Sequence, residues 1–190
     1  MSTVLEPNVT TTTWNIDPAH STAEFKVRHM MITNVKGRFS GITGVLTLDE
    51  HDVTRSHVEG SIDAASINTH TADRDAHLKS ADFFDVEQFP KLTFASTRVS
   101  RAGEEELAVA GDLTIRGVTR PVVFAVEGPT PPAKDPWGAT RLGLSATTKI
   151  NRKDFGLTWN AALETGGVTG RRRSDPDARS AVDQGVSGSP

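Results

Sequence analysis

Six histidines, His20, His29, His51, His57, His70 and His77, are the side chains of this sequence best suited to moving protons or holding a metal. Their spacing argues against both. They are scattered, and none falls in the His-Glu-x-x-His pattern that sets two imidazoles on one helical face around zinc. Asp73, Asp75 and His77 alternate, but on a helix an i, i+2, i+4 spacing turns Asp75 away from the other two, which describes a solvated polar face. Ser21 adjoins His20 without a Gly-x-Ser-x-Gly turn, and neighbours in sequence do not make a nucleophile and its base. Gly103 and Gly111 do not combine into a phosphate-cradling loop. With no cysteine there is no thiol nucleophile, disulfide or thiolate metal site. The residues predict no catalytic, cofactor or metal centre, and therefore not an enzyme.

What remains is a repeated pattern of alternation. In Gly111 to Val126, Leu113 and Ile115 fall on one side of a first strand and Phe124 and Val126 on one side of a second. The corner between them reads Gly117-Val118-Thr119-Arg120-Pro121, so the segment predicts a hairpin with one apolar face. Phe25, Val27 and His29 alternate with Glu24, Lys26 and Arg28, and Leu142, Leu144, Ala146 and Ile150 oppose Arg141, Ser145 and Lys149. Segments 35–49, 56–68 and 91–99 are rich in β-branched and aromatic residues, with a slip of period at Ile42 to Gly44 that suggests a bulge. About seven half-buried antiparallel strands precede Gly166.

One segment breaks the period. Thr71 to Ser80 carries acids at its start, a basic residue near its end and a threonine able to cap, which predicts a short helix. Asp82-Phe83-Phe84-Asp85 then leads to Phe89-Pro90, where the proline forces an extended approach to the next strand. Many antiparallel strands with a single helical crossover make an all-β barrel or sandwich, and closure removes the exposed edges.

The 190 residues, 36 % of them hydrophobic, suit one domain with a single core. No window approaches the roughly 18 apolar residues of a membrane span. Residues 1–13 lack a basic start and an apolar centre, so they read as a flexible polar lead and not as a secretory signal, which places the protein in the cytoplasm. A formal charge of −3 argues against a nucleic-acid partner.

Several blocks then occur in a recognisable order. Ile16-Asp17-Pro18-Ala19-His20-Ser21, Phe25-Lys26-Val27-Arg28-His29 and Val35-Lys36-Gly37-Arg38-Phe39 open the domain. Arg74-Asp75, His77-Leu78, Asp82 to Asp85, Gly111 to Pro121, Trp137-Gly138 and Asn151-Arg152-Lys153-Asp154-Phe155-Gly156-Leu157 follow. Over about Trp14 to Gly167 the chain resembles the YceI-like polyisoprenoid-binding family. The resemblance implies an antiparallel eight-stranded, lipocalin-like barrel whose interior holds a long isoprenoid or similar lipid.

On that implication the ligand-lining candidates are Phe25, Val27, His29, Phe39, Leu113, Ile115, Phe124, Val126, Leu142 and Leu144, all on apolar strand faces. Gly37, Gly41, Gly60, Gly111, Gly143 and Ala146 would thin the wall, or else only permit corners and bulges around a filled core. Burying about ten ligand carbons at roughly 0.8 kcal/mol each supplies on the order of 8 kcal/mol before ordering costs. His29 would bond a ligand head group or simply a backbone carbonyl. Arg74, Asp75 and Arg152 read as ion pairs stapling the crossover to a barrel end, with contact to a prenyl diphosphate as the alternative. Trp14, Trp137 and Trp159 would plug the ends, line the ligand or pack the core. The readings weighed are a non-catalytic carrier or store of such a lipid, a filled structural or defective barrel, and an isoprenoid-modifying enzyme.

The tail departs from the family. After Gly166-Gly167 such proteins continue into a closing strand, whereas residues 168–190 here are rich in charge, proline, serine and glycine and read as disordered. Thr169 to Ala178 can be encoded so that a reading frame one base later gives Leu-Val-Gly-Asp-Glu-Val-Ile-Leu-Thr-Leu, a strand pattern, which suggests a frameshift from about Thr169. A lost closing strand would leave two open edges, a cavity open along one side and a route to a homodimer.

Overall fold

The computed structural model describes residues 10–29, 33–159 and 179–189. Its strands are β1 (Thr11–Ile16), β2 (Thr22–His29), β3 (Thr33–Phe39), β4 (Ile42–Asp49), β5 (His57–Asp63), β6 (Lys91–Arg101), β7 (Glu106–Ile115), β8 (Val118–Glu127), β9 (Ala133–Lys134), β10 (Thr140–Asn151) and β11 (Arg179–Ser189), with one helix, α1 (Ala72–Lys79). The antiparallel pairings run β1–β4–β5–β6–β7–β8–β10–β11 and return from β11 to β1, a circuit of eight strands. The β2–β3 hairpin pairs with β11 alongside β1. This is the antiparallel, barrel-like fold that the alternation predicts.

β7 and β8 show why. Leu107, Val109, Gly111, Leu113 and Ile115 on β7 and Phe124 and Val126 on β8 are buried, and the residues alternating with them face outward or are half-buried. The turn is tighter than the sequence suggests. Arg116 and Gly117, with φ of 50° and 71°, make it alone, and Val118 to Pro121 already pair within β8. Two consecutive positive φ values give the primed turn whose twist matches that of the strands, so a longer corner is not needed.

Four other expectations are corrected. Segment 35–49 is two strands parted at Ser40-Gly41, and Thr11 to Thr13 belong to β1, so the N-terminal lead ends before residue 13. The β4–β5 register is unbroken from Ile42 opposite Ile62 to Thr47 opposite His57. β4 is half-buried on both faces, so its lost alternation reflects two-sided packing and not a bulge. The shift of register lies instead in β6, where Thr97 is extra between Ser96 and Arg98 and lets buried Ser96 and Val99, three residues apart, share the inner face.

The tail is the fourth. Residues 179–189 form β11, which pairs along β10 from Leu142–Gly188 to Asn151–Arg179, along β2, and with β1 at Asn15 and Ile16. Ladder bonds come from the backbone, so a polar sequence can still occupy a place between two strands that leave it vacant. The two open edges, and the dimer argued from them, lose their basis. Residues 168–178, including the whole of the Thr169 to Ala178 stretch from which the frameshift is argued, lie outside the described residues.

The predicted helix is present, although Thr71 at its N-cap makes no side-chain cap. Its hydroxyl accepts from Arg74 Nη2 at 2.9 Å instead. Arg74 Nε and Asp75 Oδ1 both engage the Thr69 hydroxyl, at 2.7 and 2.5 Å, so these two charges converge on a threonine where an ion pair was expected. The helix and the segments around it close one barrel end, where Leu78, Phe84, Val86, Phe155 and Leu157 pack with Phe39, Leu92, Leu113 and Ile115.

Candidate functional site

The inner face of the barrel carries two apolar clusters. One is the closed-end cluster just described; the other joins Val99, Leu107, Val109, Phe124, Val126 and Ala146. Phe94 packs against both, and its ring meets Phe124 edge-on at 4.9 Å between centroids. Between the clusters lies a cavity of about 160 Å³. Its wall includes Trp14, Phe39, Ile42, Leu46, Leu92, Phe94, Leu113, Phe124, Val126, Leu142 and Ile150.

Away from the closed end the cavity meets a wider vestibule of about 730 Å³. Leu48, Val53, Leu107, Pro129 and Leu144 line both spaces, so the two adjoin across these side chains. The vestibule rim is built by the loop after β4, the β6–β7 turn and the segment after β8. Asp49 organises the first of these: its Oδ1 accepts the N–H groups of His51 and Asp52 at 2.9 and 3.0 Å, and Arg55 lies 3.6 Å from Oδ2. Those two backbone donors hold its carboxyl below the usual carboxylate range.

Of the ten lining candidates, Phe39, Leu113, Ile115, Phe124, Val126, Leu142 and Leu144 border the cavity. Phe25 does not. Its ring lies over Gly37, where an added Cβ would come within 2.4 Å of Cζ, and 5.6 Å from Phe39 between centroids. Val27 is half-buried in β2 away from the cavity lining. His29 pairs through its backbone with Thr33 at the end of β2, and its imidazole lies outside the described residues. Gly111, like Gly37, is a niche filled by a ring, with Phe94 Cζ at 2.5 Å from an ideal Cβ. Gly37 and Gly111 therefore seat aromatic rings; of the wall glycines named from sequence, Gly60 lines the cavity itself.

Sequence reasoning missed Ile42 and Leu46 as cavity residues because β4 lacks clean alternation, and it also left out Leu92 of β6; Trp14, for which lining the ligand was one of three readings, is 5 % exposed and forms the aromatic wall of β1. The three tryptophans have separate fates. Trp14 lines the cavity, Trp137 is 85 % exposed on a loop, and Trp159 stacks edge-on against His77 at 4.3 Å beside the closed end. His77 also contacts Asp82 at 3.2 Å, and Asp75 faces Thr69, so these two members of the alternating trio serve separate local bonds. Among the described residues no group of three or more His, Cys, Asp or Glu is placed to share a metal ion. Nor is any helix among them long and apolar enough to cross a membrane.

Comparison with known proteins agrees with this geometry. A family model described as YceI-like domain matches residues 14–172. A UPF0312 protein of Staphylococcus aureus is 40 % identical over 158 residues, covering 83 % of this chain and 89 % of that one. Among solved structures, the Campylobacter jejuni YCEI protein superposes with a TM-score of 0.69 at 28 % identity, over 87 % of this chain and 90 % of its own. A polyisoprenoid binding domain from Saccharophagus degradans shares the fold, with a TM-score of 0.63 at 14 % identity over 93 % of this chain and 97 % of that one.

Proposed function

The chain belongs to the YceI-like domain family, and on that premise we propose that its barrel binds one extended apolar chain, a polyisoprenoid or comparable long-chain lipid, and carries or stores it without chemistry. The observation that supports this most is a largely apolar cavity inside the barrel that adjoins an open vestibule across five shared side chains. Such a shape suits a ligand whose hydrocarbon enters first and whose polar end stays near water. The polyisoprenoid-binding domain of Saccharophagus degradans lends the same fold to the same kind of ligand.

Size refines the reading. A dry cavity near 150 Å³ holds about one benzene, so the enclosed space takes only the first few carbons of a chain. The remainder occupies the vestibule, or displaces the Phe94 ring from its place between the two clusters. Binding without chemistry is favoured because the cavity wall is mostly aliphatic and aromatic, with His57, Glu59 and a few hydroxyl and amide residues as its polar members, and a carrier needs only apolar burial.

Trp14 reports on the cavity directly. In a Trp137→Phe, Trp159→Phe background it is the remaining tryptophan, and titration with geranylgeraniol is expected to change its emission saturably at one equivalent. A signal that rises without saturation, or does not move, contradicts a defined internal site.

A further inference from the structure

The vestibule is rimmed by acids although its floor is apolar, and of these Asp49 has the Arg55 guanidinium 3.6 Å away. Asp49, Glu50, Glu104, Glu105 and Glu127 line it, against one guanidinium, Arg101, and one imidazole, His51. They come from three separate stretches of chain that converge only in the fold: the loop after β4, the β6–β7 turn and the end of β8. Asp49 is buried and held ionised by its backbone donors, and Glu50, Glu104, Glu105 and Glu127 are exposed. Arg116 lies instead toward the closed end, with its guanidinium on the carbonyls of Ala81 and Gly156. Arg74 is likewise spent on Thr69 and Thr71.

Resting on the carrier reading, we infer that this vestibule selects among long apolar chains by the charge of their polar end: it accepts uncharged ends such as an alcohol or a quinone and rejects diphosphates and carboxylates. The acids are not themselves the binding site. The cavity takes the hydrocarbon, and the rim sets which head group can remain at its mouth, because like charges brought together in a partly desolvated opening repel. Four of the five carboxylates are exposed, so the repulsion is screened by salt.

The test compares geranylgeraniol with geranylgeranyl diphosphate, which share one hydrocarbon and differ only at the head. At 20 mM salt the alcohol is expected to bind at least tenfold more tightly, and at 500 mM the ratio should shrink several-fold. A Glu104→Gln, Glu105→Gln, Glu127→Gln variant should gain affinity for the diphosphate and keep that for the alcohol; all three sites are exposed, so its fold should be intact. Equal or tighter binding of the diphosphate at low salt overturns the inference while leaving the carrier reading in place. If neither compound binds, the carrier reading falls and the inference with it.

Discussion

Asp17 shows how single residues hold the rim of this barrel. Its carboxylate accepts from Ala19 N–H at 2.9 Å, meets His20 Nδ1 at 2.9 Å and is bonded by Arg141 Nη1. Arg141 also gives its Nε to Asp135 Oδ2 at 2.7 Å, so one guanidinium ties the turn after β1 to the loop before β10. The His20 contact, then the Ala19 N–H and Arg141, bring the Asp17 pKa down to about 2, and Asp135 is lowered chiefly by Arg141. A carboxyl whose folded pKa lies below its unfolded value adds stability above that unfolded value and loses it as pH falls through the folded one. The melting temperature should therefore decline between about pH 4 and pH 2. In Arg141→Ala the decline should be shallower and the neutral-pH melting temperature lower, as thermal unfolding across that range would record. Little of this was legible in the sequence: Asp17 and Arg141 are 124 positions apart, and no local pattern announces that pair.

At the scale of elements, the sequence was most readable where one face is buried and the other wet. β7 alternates along its length and β8 and β10 in their second halves, and seven of the ten predicted lining residues, mostly from these strands, border the cavity. Reading failed where that condition lapses. β4 is half-buried on both sides, β1 opens with three threonines, and the extra residue in β6 is an ordinary threonine with no glycine to mark it. The glycines misled for a related reason, since what fills a missing side chain depends on a neighbouring strand. At Gly111 a Cβ would stand 2.4 Å from the Ala95 carbonyl oxygen and 2.5 Å from the Phe94 ring. The ring can turn aside, but the carbonyl is held in the ladder, so Gly111→Ala should lose about 1–3 kcal/mol by overpacking. Urea unfolding of that variant beside Gly143→Ala, whose nearest neighbour is a threonine side chain at 3.8 Å, separates close approach from a general effect of removing glycine.

For the whole molecule, closure and asymmetry matter more than any one contact. Among the described residues the eight-strand circuit has a packed end under α1 and an opposite end with an acid-lined vestibule, which on the proposed function is the side from which a ligand would enter. Its narrowest join is between β11 and β1, only two residue pairs long, although β11 shares ten with β10. A tail that read as disordered can hold that place because ladder bonds do not depend on side-chain identity. The barrel class was thus visible from alternation and one crossover, whereas its completion by residues 179–189 was not. The central claim is that the cavity holds a long apolar chain. Protein purified without detergent, extracted into organic solvent and analysed by mass spectrometry, measures this most directly after apo protein has been incubated with a cell lipid extract and repurified. The account predicts one long-chain lipid per protein, released only on unfolding; repeated extracts with no stoichiometric lipid would contradict it.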